Sequence, residues 1–243
     1  MIKFFRNIRK KMLSENKISK YLIYAIGEII LVVIGILIAL QINNWNENKI
    51  KTKKEIFHLE NILNNLQDDL NTQIKPCIGK TENQIRGFKL LETGFYENDN
   101  ISNDSIRQLA FQFLGQWDLV LNTVAFDNLK STGMDVLSND SIKTKLLTLY
   151  GNNYKYVKDL QAYYDKSHYD KISLSNTLNN INWFDQLTDE DKQKLKSDRQ
   201  LFLIMKGEAN YSLPNYLREL EKIKPISQEL IENINQEIER LKE

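Results

Sequence analysis

Glu28 is the residue of this 243-residue chain whose position most strongly suggests a chemical role. It carries the only formal charge within the apolar run Tyr21–Ile42, YLIYAIGEIILVVIGILIALQI. An ionisable side chain inside lipid is costly, and such residues commonly relay protons or bond a partner helix. The alternative is a protonated carboxyl, or one that reaches the nearer membrane surface. We favour the functional or helix-pairing role for Glu28.

The apolar run that contains Glu28 also contains several small residues. Gly35 and Ala39 are four residues apart, and Gly27 lies two further turns back on roughly the same helix face. Small residues at such spacing let two membrane helices approach closely. Glycine is also common in membrane helices in general. The pattern predicts self-association, but only weakly on its own.

The other reactive residue types do not form a recognisable catalytic or metal-binding pattern. Cys77 is the single cysteine, which excludes an intramolecular disulfide. His58 and His168 show no metal-ligand spacing with it. The sequence has no nucleophile grouping, phosphate-binding loop or zinc motif. We therefore expect a protein that is not an enzyme and that needs no cofactor or metal.

Two further clusters have structural explanations that we prefer to functional ones. Six tyrosines crowd residues 150–169 near His168 and Trp183, and tyrosines at helical spacing are more often core and rim residues than the lining of a ligand pocket. Asp185, Asp189, Glu190 and Asp191 do not fit a calcium loop. A helix that starts at Thr188 explains them better than a cation site.

The apolar run must be a helix if it crosses a membrane. From Leu22 to Ile42 a helix is roughly 30 Å long, the thickness of a hydrocarbon core. The run is too long for a signal peptide and lacks a clear cleavage site, so an uncleaved anchor is favoured. Tyr21, Tyr24 and Trp45 occupy the positions of interfacial anchors. The lipid bilayer is therefore the first expected partner.

Basic residues are concentrated before the run, which predicts a cytoplasmic N-terminus. Residues 1–20 are expected to form a basic segment at the inner surface, either an interfacial helix or a disordered tail. Residues 21–45 form the predicted transmembrane helix. Residues 46–243 then form an extracytoplasmic domain, periplasmic if the cell is Gram-negative. The predicted location is thus the bacterial inner membrane.

The remainder of the chain has the composition of a helical protein. It contains few prolines and glycines and little alternating β pattern, so we predict an all-α fold, an antiparallel bundle or a long helical hairpin. Past residue 49 lie 25 of the 33 basic and 29 of the 32 acidic residues, a net charge of −4. A weakly acidic domain is a poor candidate for nucleic-acid binding.

Two heptad patterns begin and end this domain. The first runs from Ile56 to Leu70 and the second lies within residues 226–243. They are either a coiled-coil stalk, with the two helices pairing antiparallel, or ordinary bundle core. Pro76 should kink or interrupt the first helix. Pro214 and Pro225 are each expected in the first turn of a helix.

Two blocks of sequence resemble an uncharacterised bacterial family of single-pass membrane proteins. The first is LSENKISKYLIYAIGEIILVVIGILIALQINNWNE, residues 13–47, with its Gly27-Glu28 pair and ILIALQINNWNE ending. The second is TVAFDNLKSTGMDVLSNDSIKTKLLTLY, residues 123–150. The resemblance implies a basic N-terminus, one transmembrane helix and a helical extracytoplasmic domain. It implies no activity.

Taken as a whole, the sequence favours a membrane-anchored, non-catalytic interaction or scaffold subunit of the cell envelope. The expected partners are a second copy of the chain or another protein of a membrane complex. The alternative is a ligand-sensing helical bundle that signals through a partner protein. That alternative requires a real pocket in the aromatic region.

Overall fold

A computed structural model describes residues 18–115, 117–173 and 175–243. For residues 18–21, 24, 171 and 173 it describes the backbone but not the side chain. The described part of the chain is helical and contains no β-strand, so the all-α prediction is confirmed. The predicted basic segment falls almost wholly outside the described residues.

Ten α-helices are described. They are α1 (Ile18–Asp68), α2 (Lys75–Leu91), α3 (Asn103–Leu114), α4 (Val124–Thr132), α5 (Asp140–Thr148), α6 (Lys155–His168), α7 (Asn176–Asn179), α8 (Asp189–Ser197), α9 (Arg199–Gly207) and α10 (Leu213–Lys242). Wider π-helical turns occupy Asp69–Ile74, Glu92–Glu97, Leu149–Tyr154, Tyr169–Ser173 and Glu208–Ser212, and a 3₁₀ turn occupies Met134–Val136.

The chain divides into two compact units, residues 1–54 and 55–243. In the first unit we call residues 22–42 the apolar segment. Its Ile, Leu and Val side chains are all exposed, and an 18-residue window there has a mean hydropathy of 2.6. By length and composition this is one helix that can cross a membrane. We call the second unit the C-terminal domain.

Within the C-terminal domain the two heptad patterns pack antiparallel. Lys242 Nζ lies 3.4 Å from Glu60 Oε1, and Cys77 Sγ lies 3.4 Å from the Tyr216 hydroxyl. The end of α10 therefore meets the end of α1, and its start meets α2. Leu66 and Ile234 are fully buried in one shared hydrophobic cluster. The patterns thus form bundle core, the second of the two alternatives, and their helices run antiparallel within it.

A second hydrophobic cluster fills the other end of the C-terminal domain. Phe88 lies at its centre, 5.3 Å from Phe113 and 6.2 Å from Phe202 between ring centroids. These rings come from α2, α3 and α9, so residues far apart in sequence meet here. Aromatic pairs at such distances contribute about 0.5–1.5 kcal/mol beyond the burial of each ring.

The three prolines behave differently. The first helix does not end at Pro76: α1 passes at Asp68 into the π-helical turn Asp69–Ile74, and α2 follows directly with Pro76 in its first turn. The regular α-helical pattern is thus interrupted by a wider turn, and the chain remains helical. Pro214 likewise opens α10. The prediction for Pro225 is wrong, because this residue lies inside α10. A proline there costs about 3 kcal/mol, and the burial of Ile223 and Leu230 on either side opposes that cost.

Side-chain caps set several helix boundaries. The Thr188 hydroxyl accepts from the Asp191 N–H, and the Asp191 carboxylate accepts from the Thr188 N–H, a reciprocal capping box. Asn139 caps α5 by accepting from the N–H groups of Ser141 and Ile142. The structural explanation of the acidic residues near 189 is therefore confirmed.

Candidate functional site

The sequence singled out residues in the apolar segment, and the helix places three of them close together around its axis. At 3.6 residues per turn, Glu28, Gly35 and Ala39 fall within about 40° of one another. Gly27 lies about 80° from Gly35. Added Cβ atoms at Gly27 and Gly35 would meet nothing within 4 Å. The small-residue face is thus open along this helix.

Of the predicted interfacial anchors, Trp45 is the one whose side chain the structure describes. It is exposed, and Lys49 Nζ lies 5.2 Å from its ring centre. The side chains of Tyr21 and Tyr24 lie outside the described residues. An exposed indole beside a lysine suits the boundary between hydrocarbon and water.

A partly enclosed cavity of about 60 Å³ lies within the C-terminal domain. We call it the Asp165 cavity. Its lining includes Trp117, Tyr164, Asp165, His168, Glu208 and Tyr216. Asp165 and His168 lie three residues apart on one face of α6, and the π-helical turn after α9 supplies Glu208. Tertiary packing therefore brings together groups that are about 40 residues apart in sequence.

Two carboxylates in this cavity differ in their partners. Glu208 Oε2 lies 3.0 Å from His168 Nδ1, a hydrogen bond that becomes an ion pair when the histidine is protonated. The Asp165 carboxylate accepts no hydrogen bond from the described residues, although the backbone carbonyl of Asp165 accepts from the Tyr169 N–H. Desolvation raises the pKa of Asp165, the charge of Asp118 raises it further, and His168 partly offsets both effects.

The aromatic side of the cavity is fixed by its own contacts. The Tyr164 hydroxyl accepts from the Asn215 amide at 2.8 Å, and the Tyr216 hydroxyl pairs with Cys77 Sγ. Lys80 Nζ lies 3.3 Å from the centre of the Trp117 ring, a cation–π contact. Burial raises the pKa of the Cys77 thiol, which therefore stays protonated and poorly reactive near neutral pH.

A segment without regular secondary structure borders the cavity. We call residues 117–122 the strap. Gln161 holds one end, donating to the Trp117 carbonyl at 2.6 Å and accepting from the Leu119 N–H at 3.1 Å. Both oxygens of the buried Asp69 carboxylate accept from the Asn122 N–H, at 2.9 and 3.1 Å. Side chains thus supply the bonds that a neighbouring β-strand would otherwise make.

Asp69 belongs to a buried polar cluster under the strap. The hydroxyls of Tyr150, Tyr154 and Ser227 are buried there, and Tyr154 lies close enough to Asp69 and Ser227 to interact with both. Desolvation raises the pKa of Asp69 to about 6, although the bond from Asn122 opposes the shift. A buried carboxyl with this pKa changes charge close to physiological pH.

The tyrosine-rich region is mainly core and rim, as the sequence indicated. Tyr150 and Tyr154 are buried in the first hydrophobic cluster, whereas Tyr156, Tyr163 and Tyr169 are exposed. Tyr164 lines the Asp165 cavity, and His168 lies beside it. Trp183 packs against the second cluster and donates to the Leu178 carbonyl. The region therefore contributes to a small cavity without forming a large aromatic pocket.

Sequence reasoning missed Glu208, Gln161 and Asp69. The heptad pattern from Ile56 to Leu70 predicts that Asp69 lies on the polar, solvated face of its helix, but the residue is 1% exposed. The π-helical turn that begins there shifts the helical register, and heptad counting does not detect that shift. Within the described residues, no group of three or more His, Cys, Asp or Glu side chains is arranged to hold a metal ion.

A family of unknown function, DUF6090, matches residues 28–198, well over half of the chain. The chain belongs to this family. The DUF6090 match includes Glu28, Gly35, Asp165 and His168, and it ends before Glu208. No curated protein and no solved structure is significantly similar to the chain. The resemblance to an uncharacterised family is therefore confirmed, and it brings no activity with it.

Proposed function

We propose that this DUF6090 protein is a membrane-anchored, non-catalytic interaction or scaffold subunit of the bacterial cell envelope that associates with itself. The observation that carries the proposal is the exposed apolar segment. Its large side chains are 46–73% exposed, which in water would be a costly surface. Lipid removes that cost, and the helix satisfies its own backbone hydrogen bonds.

Charge supports the orientation. Residues 1–20 carry seven Lys/Arg against one acidic residue, and positive residues remain on the cytoplasmic side. The N-terminus is thus cytoplasmic, and the C-terminal domain is exported to the periplasm. The chain then spans the inner membrane once.

The helix face formed by Glu28, Gly35 and Ala39 is the surface assigned to self-association. The heptad patterns are no longer candidates, because their apolar residues fill the core of the C-terminal domain. A carboxyl on the small-residue face is in position to hydrogen-bond a second copy. Such bonds contribute only about 0.6 kcal/mol on average, so close packing must supply most of the association energy.

Replacing Gly35 with Leu tests the association. An added Cβ atom meets nothing within 4 Å in the single chain, so the change should act mainly on contact with another helix. We expect Gly35→Leu to weaken self-association, measured by energy transfer between labelled chains in detergent. Val33→Leu is the matched control, because position 33 is about 200° around the helix and should tolerate the change. A wild-type chain that stays monomeric at every detergent ratio contradicts the proposal.

Glu28 variants separate hydrogen bonding from titration. Glu28→Gln keeps hydrogen-bonding groups and should preserve assembly, whereas Glu28→Leu should weaken it. If both variants assemble normally but lose the cellular phenotype, proton binding is the role of Glu28 and the scaffold proposal loses support. If neither variant changes assembly or phenotype, Glu28 reaches the membrane surface and has no role in assembly.

The Asp165 cavity favours a second candidate function, a periplasmic ligand sensor that signals through a partner protein. Native mass spectrometry of the chain extracted in mild detergent distinguishes the two functions. A retained small molecule supports the sensor. Protein partners with no retained small molecule support the scaffold.

A further inference from the structure

The lining of the Asp165 cavity contains two carboxylates and one histidine. Asp165 and Glu208 are both acidic, and His168 is hydrogen-bonded to Glu208 alone. Asp118 adds a further negative charge near Asp165, while the nearby Lys80 ammonium is held over the Trp117 ring. A partly desolvated carboxylate is stabilised by an opposite charge at short range.

Aromatic rings complete the lining. Trp117, Tyr164 and Tyr216 border the same space as the two carboxylates. Aromatic faces attract cations, and the contact between Lys80 and Trp117 is such an interaction in this domain. Carboxylates beside aromatic rings favour a ligand that combines positive charge with some apolar surface. An inorganic anion or a fatty acid would be repelled.

Volume limits the size of that ligand. The cavity measures about 60 Å³ on a scale where one water-sized group needs about 10–15 Å³. It therefore accepts about four to six non-hydrogen atoms. Drug-sized molecules and peptides exceed this limit, whereas the smallest organic amines fit.

The geometry points to a binding site for a small organic ammonium ion, whose charged group is held by Asp165 and whose carbon atoms lie against Tyr164 and Tyr216. The Asp165 carboxylate supplies free acceptor oxygens for the ammonium N–H donors. The two tyrosine hydroxyls are already engaged with Asn215 and Cys77, so their rings contribute mainly aromatic surface. Binding places a positive charge beside the Asp165 carboxylate.

Calorimetric titration of the full chain in detergent with ethanolamine hydrochloride tests the site. Ethylene glycol is the matched neutral probe, since it has the same number of non-hydrogen atoms. We expect ethanolamine to bind and ethylene glycol not to bind, at equal ionic strength. Equal binding of both probes overturns the assignment of a cation site, and so does the absence of binding by ethanolamine.

Substitutions then locate the site. Asp165→Asn should weaken ethanolamine binding by about tenfold or more, since it removes a charge-assisted hydrogen bond. Asp159→Asn makes the same change on an exposed part of α6 and should leave the affinity unchanged. Glu208→Gln, which can still accept a hydrogen bond from His168, should also weaken ethanolamine binding. If Asp165→Asn does not fold, Glu208→Gln is the variant that tests the location of the site. Unchanged affinity in the decisive variant contradicts the proposal, whatever the result of the association experiments.

Discussion

The apolar segment and the C-terminal domain use the same aliphatic residues in opposite environments. Ile34 in the apolar segment is 50% exposed, whereas Ile234 in α10 is fully buried. In the C-terminal domain, apolar side chains from many helices cover one another. Along the apolar segment, no described side chain covers them.

This difference indicates that the two regions are stabilised by different surroundings. Helix–helix packing removes Ile234 from water and contributes to the folding free energy of its domain. Ile34 contributes only if lipid or another helix covers it. Matched substitutions in the two regions should therefore affect different measured quantities, and the following predictions compare them.

Charges in the apolar segment should have the largest effect. Replacing both Val32 and Val33 with Arg should raise the free energy of membrane insertion by about 5–7 kcal/mol, because each arginine at the centre of a span costs about 2.5–3.5 kcal/mol. The measurement is the fraction of protein that remains in carbonate-washed membranes. Arginines at Val120 and Val124, which are exposed in the C-terminal domain, should not change this fraction. Equal retention of both double variants would contradict the membrane assignment.

Shortening an isoleucine should affect the stability of the C-terminal domain when the residue is buried there, but not when it lies in the apolar segment. Ile234→Ala should lower the free energy of unfolding of the C-terminal domain by about 2–5 kcal/mol, through lost burial and a new cavity. Ile34→Ala removes the same atoms and should leave that free energy unchanged. Denaturant titration in detergent, followed by near-ultraviolet circular dichroism, compares them. Similar losses would show that the apolar segment also contributes to the stability of the domain.

The buried Asp69 should make the stability of the C-terminal domain depend on pH. Its pKa is about 6 in the folded chain against an ordinary value of 3.8, so the folded state holds its proton more tightly than the unfolded state does. Stability is then greatest below pH 3.8 and falls as the pH rises through 6, by about 2–3 kcal/mol. Asp69→Asn should abolish this component in denaturation curves between pH 4 and 7. The exposed control Asp127→Asn should retain it.

A helix cap should have the smallest effect. Thr188→Ala removes the capping box of α8 and should cost the C-terminal domain about 0.5–2 kcal/mol. Thr144→Ala, at an exposed position within α5, is the control and should cost less. Thermal unfolding of the two variants provides the comparison. If Thr144→Ala costs as much as Thr188→Ala, the cap contributes no specific stability.

Local rules predicted the parts of this fold that depend on neighbouring residues. Thr188 caps the start of a helix, and the two heptad patterns supply residues of the hydrophobic core. The local rules mispredicted Pro225, because tertiary packing on both sides of it outweighs the cost of a proline inside a helix. The π-helical turn at Asp69 likewise depends on the packing of its surroundings.

The Asp165 cavity could not be predicted from the sequence, because it too depends on tertiary packing. The three-residue spacing of Asp165 and His168 predicts that they are neighbours on one helix face. Glu208 comes close to them only because α6 packs against the turn after α9. The strap is similar, since its hydrogen bonds come from side chains on distant helices. The apolar segment was identifiable from sequence because its length and hydropathy are local properties.

Labelling with a membrane-impermeant maleimide tests the central claim most directly. Wild-type chain is the blank, since Cys77 is buried and is the single cysteine. The Phe184→Cys variant places a thiol at a position that is 97% exposed in the C-terminal domain. We predict that intact spheroplasts label this variant, and that they label a Lys10→Cys variant only after permeabilisation. Labelling of Lys10→Cys but not Phe184→Cys in intact spheroplasts would contradict the proposed orientation, and release of the chain from the membrane would contradict the anchor itself.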